Sequence, residues 1–180
     1  MLGMVFTNLM EMVEDRWSLD RVDAVLARAR LRGAYTSVGD YPDAELQALL
    51  GAMVAETGAP AEALVASFGQ HLFDAFVRFH PPYFTGHGDV LDFLEVLDAR
   101  VHAEVAKLYP SAQPPRITLQ RGETAATLTY ASRRGLAPLA TAMLQASIRR
   151  FGGYTLTGVD DLSGGANTLV RYTLSPEARP

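Results

Sequence analysis

The chain has 180 residues, of which 48% are hydrophobic and 20% charged, with a net charge of −4 at pH 7. That length suffices for one domain with a sizeable core, and an acidic balance without a Lys/Arg run argues against a nucleic-acid surface. Cysteine is absent, which excludes disulfides, thiolate metal sites, iron–sulfur clusters and cysteine nucleophiles together. No apolar run reaches the roughly 18 residues of a membrane span. The opening MLGMVFTNLMEMVED carries Glu11, Glu14 and Asp15 where a secretory leader has basic residues. The expectation is a cytoplasmic monomer with no membrane contact.

The first two thirds read as helices. Val5, Phe6, Leu9, Met10, Met12 and Val13 recur at helical spacing and predict a helix ending near Trp17. Ser18 can cap a second helix to about Arg30. A third runs from Pro42-Asp43 to Gly58, a residue suited to a helix end. Pro60 opens a fourth, with Leu64, Val65, Phe68, Leu72, Phe73 and Phe76 on a broad apolar face, and Pro81-Pro82 closes it. A fifth helix spans Asp89 to Tyr109, with Leu91, Leu94, Asp98, Val101, Val105 and Leu108 in a stripe bordered by His102. A histidine in that place is by default a core residue satisfied by a neighbour.

After Pro114-Pro115 the period changes from helical to alternating. Ile117 and Leu119, the turn Arg121-Gly122-Glu123, then Ala126, Leu128 and Tyr130 predict a hairpin. A helix from about Ala137 to Phe151 follows, and Tyr154–Val159 with Asn167–Leu174 make a second hairpin across Gly164-Gly165. Helices first and then an antiparallel sheet of four strands with one interposed helix is an α+β order.

One stretch stands out chemically. If the strand continues through Tyr130, Ser132 and Arg134, a phenol, a hydroxyl and a guanidinium share one face at about 6.6 Å intervals. Such a row suits a ligand with two separated carboxylates. Alone, Tyr-x-Ser-x-Arg is more often the polar face of a hairpin. Paired with an upstream histidine on an apolar-lined helix, it fits a flat, largely apolar dicarboxylate that needs one axial nitrogen, and haem has that description.

The segments MLGMVFTNLMEMVE, YTSVGDYPDAEL, FGQHLFDAF, FHPPYF, LDARVHAEVAKLYPSAQPP and YASRR together resemble the bacterial haem nitric oxide/oxygen binding (H-NOX) domains, a family that includes the haem domain of soluble guanylate cyclase. The resemblance covers nearly the whole chain. It implies one sensor domain over 1–180, with a distal helical part over about 1–65 and a proximal part over about 66–180, and one haem b buried between them. His102 falls at the position of the axial iron ligand. Tyr130, Ser132 and Arg134 match the residues that hold the propionates, and Pro115 the proline that presses on the macrocycle. Val5, Leu9, Leu72, Phe73, Leu139 and Met143 are placed in the distal pocket. Oxygen-binding members carry a tyrosine where this chain has Leu139, and no tyrosine lies between Tyr130 and Tyr154. A pocket without that donor implies binding of NO and CO without a stable oxygen complex.

The resemblance further implies a regulatory sensor, not an enzyme, that signals to a separate histidine kinase or diguanylate cyclase. A haem peroxidase or oxygenase would need a distal acid or base, and His71 is the one candidate. A haem carrier or a small-molecule binding module without signalling is the alternative. His80 and His87 flank the Pro-Pro loop without further ligands at zinc spacing.

Overall fold

The computed structural model describes residues 1–109 and 113–177, with the side chains of Asp98 and Leu108 outside the description. The side chains of two members of the stripe expected along the His102 helix, Asp98 and Leu108, and the Pro110-Ser111-Ala112 part of the LYPSAQPP segment therefore lie outside the described residues.

Helix α1, Gly3–Arg16, buries Phe6, Leu9, Met12 and Val13, the positions its spacing predicts. Its start is pressed against a loop: Gly3 N–H donates to the Gly39 carbonyl at 2.7 Å, and a Cβ on Gly3 would lie 1.9 Å from the Thr36 carbonyl oxygen. Only glycine fits there. Ser18 caps α2, Leu19–Ala29, by accepting from the Arg21 N–H at 3.3 Å. Helix α3, Asp43–Thr57, stops at Gly58, whose φ of 67° is the left-handed geometry that ends helices. Helix α4, Ala61–Phe79, follows Pro60 and gives way to a 3-10 turn, Pro81–Phe84. Among the described residues no single helix is long and apolar enough to cross a membrane.

The single helix expected over 89–109 is three pieces. Asp89 caps α5, Val90–Val96, accepting from the N–H groups of Leu91 at 2.8 Å and Asp92 at 3.1 Å. A π-helical segment, Leu97–His102, comes next, and α6, Ala103–Leu108, completes the run. Each π hydrogen bond reaches one residue further than in an α-helix. The extra residue hides in a sequence whose apolar positions are spaced by three or four.

Strands β1 (Arg116–Arg121), β2 (Ala126–Ala131), β3 (Tyr154–Asp161) and β4 (Leu169–Pro176) form one antiparallel sheet in the order β1-β2-β4-β3. Helix α7, Ala137–Phe151, lies between β2 and β3 in sequence. The molecule is thus α+β, with the sheet and interposed helix the alternation predicts.

Two apolar clusters make the core. One joins the inward face of the sheet (Leu128, Tyr130, Val170, Tyr172, Leu174) to Leu91, Phe93 and Leu94 of α5 and Leu144 of α7. The other gathers α1, α2 and α3 against Leu64, Phe68 and Leu72 of α4 and Leu139 of α7. Helices α4 and α7 serve both. They cross at Gly69, where a Cβ would meet the Ala142 Cβ at 2.3 Å, so the missing side chain is what lets them approach.

Candidate functional site

His102 is the last residue of the π segment, half-buried, and that segment runs alongside β1. Pro115 stands just before β1, half-buried, and Ile117 packs onto the sheet-side cluster. The proline ends the preceding chain segment and opens the strand, the ordinary role of a residue without an N–H donor.

The row of three donors is not on one strand. Strand β2 ends at Ala131, and Ser132 to Arg134 turn away from it. Tyr130 is only 4% exposed and faces inward. The turn still gathers the three polar groups. Ser132 Oγ accepts from the Arg134 backbone N–H at 3.3 Å, and the Ser132 N–H donates to the Thr168 carbonyl at 2.8 Å. Burial pushes the Tyr130 phenol pKa up, while the hydrogen bond to Ser132 and the charge of Arg134 pull it down. The reach of a side chain on a tight turn replaces the strand spacing that the sequence suggested. An open groove of ≈ 550 Å³ lies along Ala131, Ser132, Arg133 and Thr168.

Arg134 also ties together distant parts of the chain. Its Nε donates to Asp43 Oδ1 at 2.9 Å, at the start of α3, and its Nη1 donates to the Gln113 carbonyl two residues before Pro115. Asp43 Oδ1 is in turn 3.3 Å from the Met1 nitrogen, which donates to Asp40 at 2.8 Å. Two of the five guanidinium N–H donors are used in this way. Sequence reading missed Asp43 and Gln113. No local spacing marks a bond that spans 91 residues, although Asp43 is recognisable as an acid in a first helical turn.

The residues placed on the distal side come together with one exception. Leu9, Leu72 and Leu139 are buried in the helical cluster, and Val5 and Met143 pack against it. Phe73 does not join them. It points into the sheet-side cluster, edge-on to Phe84 and Phe93 at centroid distances of 5.5 and 6.3 Å. Phe76, expected on the apolar face of α4 but not placed in the pocket, packs on both clusters. It sits one turn beyond Leu72, and that spacing could have marked it. Asn8 is buried in α1, its amide donating to the Met4 carbonyl at 2.7 Å and its Oδ1 unpaired. His71 is half-buried along an open groove of ≈ 570 Å³ with Met12, Asp15 and Ser67, and its Nε2 is buried without a hydrogen-bond partner. Its Nε2 is 3.9 Å from Glu11 Oε2, an ion-pair distance that is too long for a hydrogen bond.

Among the described residues no group of three or more His, Asp or Glu could hold a metal ion. The chain supplies a half-buried imidazole beside the sheet, a guanidinium and hydroxyl beside a buried phenol, and an apolar wall of leucines. These residues fit a haem, and the fold and site together define a haem-binding domain.

The comparisons agree. The family model Haem-NO-binding matches residues 2–155. No curated protein matches. The solution structure of the H-NOX from Shewanella woodyi, bound to IWP-051 in the Fe(II)CO state, is 33% identical over 99% of this chain and 96% of that one, with a TM-score of 0.84. The Fe(II) unliganded H-NOX from K. algicida (23% identity, TM-score 0.87) covers 99% and 98% of the two chains. The H-NOX from S. oneidensis in the Fe(II)NO state (22% identity, TM-score 0.86) covers 99% and 100%. The chain belongs to the Haem-NO-binding (H-NOX) family: it is a haem-based, gas-binding sensor domain, not an enzyme.

Proposed function

We propose that this domain senses NO at a ferrous haem b held by His102 and passes the signal to a separate protein, a histidine kinase or a diguanylate cyclase, in the cytoplasm. When bound, haem would supply an iron able to take a diatomic gas. The chain would do the rest. His102 would hold the iron; Arg134 and Ser132, with Tyr130 buried beside them, would hold the propionates; Pro115 would bear on the macrocycle. One domain over 1–180 carries the site, the part over about 1–65 distal and the part over about 66–180 proximal.

The observation that carries the ligand preference is the helical cluster itself. Leu139 is 9% exposed among Leu9, Leu72 and the flanking Val5 and Met143. A leucine there offers no hydrogen bond to polar bound oxygen, whereas NO and CO need none. His71 lines the outer groove with Met12, Asp15 and Ser67, its Nε2 3.9 Å from Glu11.

His102 would also be the trigger: loss of the hold on it would free the segment that carries it. This couples a gas to an element with two positions, the requirement for a switch. The test exposes the reduced protein to NO, to CO and to air. NO and CO complexes without a stable oxygen complex support the reading, and Leu139→Tyr then gains an oxygen complex. A stable oxygen complex in the unaltered protein, or haem that passes freely to an apo-haem acceptor, contradicts it.

A further inference from the structure

The run from Asp89 to Tyr109 is one element in sequence but two in its attachments. Its first half is fixed three times over. Asp89 caps it. Val90, Leu91, Phe93 and Leu94 are buried in the sheet-side cluster. Arg121 of β1 donates to Asp92 and Glu95 at 2.8 Å each, and that bond holds the Asp92 carboxyl below its usual range. The second half is more exposed. Among the described residues of α6, Glu104, Ala106 and Lys107 are exposed and Ala103 and Val105 half-buried, and the Tyr83 hydroxyl donates to Glu104.

The π segment lies at the seam, with His102 as its last residue. A π turn is rare and clusters at functional sites. Kinks and irregular turns have ordinary causes in proline or paired glycine, and Leu-Asp-Ala-Arg-Val-His contains neither. These residues can all form α-helix. Ala99 and Arg100 are exposed, and Leu97 packs on the sheet-side cluster beside α5. One end of the wide turn is thus fixed with α5, and His102 stands at the other.

We propose that Leu97–His102 is a one-residue register joint, in which α5 stays fixed and the π segment tightens into α-helix when the hold on His102 is released. Absorbing one extra residue into α geometry turns α6 by about 100° and advances it by about 1.5 Å. The surface presented by Glu104, Ala106 and Lys107 is thereby exchanged for another. The proposal rests on His102 being the iron ligand and adds how its release becomes a movement.

The absence of cysteine makes the test clean. Ala106→Cys on α6 and Thr118→Cys on β1, both exposed positions, carry a pair of spin labels. Their separation is read by pulsed EPR in reduced, haem-loaded protein before and after NO, with absorption spectra on the same samples. A change of about 5 Å or more is expected from a label carried around the helix. Deleting Ala99 removes the extra residue while leaving His102 where the π turn puts it. That variant keeps the reduced spectrum and loses the NO-dependent change.

An unchanged separation in the unaltered chain, although the spectrum shows His102 released, overturns the joint and leaves the sensor intact. So does a deletion variant that moves as far as the unaltered chain. Failure to take up haem, or His102 still bound under NO, overturns the sensor reading and the trigger with it. The unaltered-chain arm requires no variant helix to fold.

Discussion

The two walls of the site are built on opposite terms. The helical wall is made of apolar side chains from α1, α4 and α7 that are interchangeable in kind and packed many to one. The sheet-side wall depends on a few polar atoms. Arg134 alone joins β2's end, the segment before β1 and the start of α3 through two hydrogen bonds. On the proposed reading the first wall would set what is stabilised at the iron by withholding a donor, and damage to it would register as lost stability. The second would set whether the prosthetic group stays, and damage to it would be specific to single atoms.

That contrast can be broken by substitution. Leu9→Ala on the helical wall deletes a fully buried side chain and costs about 2–5 kcal/mol, read by denaturant unfolding. The iron keeps its His102 spectrum. Arg134→Ala on the other wall removes a charged hydrogen bond to Asp43 and costs about 1.5–3 kcal/mol. Haem loss to an acceptor protein is accelerated here, about tenfold for each 1.4 kcal/mol of haem binding removed. If Leu9→Ala loses haem faster than Arg134→Ala at matched stability, the division between the walls is wrong.

Gly69→Ala tests the crossing that brings the walls together. The added methyl meets Ala142 Cβ, which α4 and α7 must separate to admit, at a cost of about 1–3 kcal/mol read as a lower Tm. The smallest effect is expected on the Arg121 clamp. Arg121 holds the Asp92 carboxyl low through a hydrogen bond, so the stability it lends is full above the unfolded carboxyl pKa, near pH 4. That stability is lost as pH falls through the lower folded value. The pair is partly exposed and is worth at most about 1 kcal/mol. The Tm difference between the unaltered chain and Arg121→Ala should shrink from pH 7 toward pH 2, and a difference that grows in acid contradicts it.

Much of this was legible because local rules carry it. Ser18, Gly58, Pro60 and Asp89 mark helix ends by chemistry that acts within a turn, and the alternation of Ala126, Leu128 and Tyr130 shows which face of β2 is buried. What local rules do not carry was missed or misplaced. Phe73 and Leu72 are neighbours on one apolar face, yet they serve different clusters, because α4 is buried on two sides and periodicity does not distinguish them. Ser132 and Arg134 kept the expected alternation after the strand had ended. The π segment changes the hydrogen-bond reach without altering which residues are apolar. Asp43 meets Arg134 only through the packing of α3 near the end of β2.

The central claim is that His102 is the group that binds the iron and lets go. The direct measurement is the anaerobic absorption spectrum of the dithionite-reduced protein before and after NO, with His102→Gly beside it. The expected result is one haem per chain, a five-coordinate iron bound through His102, loss of that bond with NO, and a His102→Gly protein whose reduced spectrum lacks it from the start. A chain that takes up no haem, or whose reduced spectrum is the same with and without His102, would contradict it.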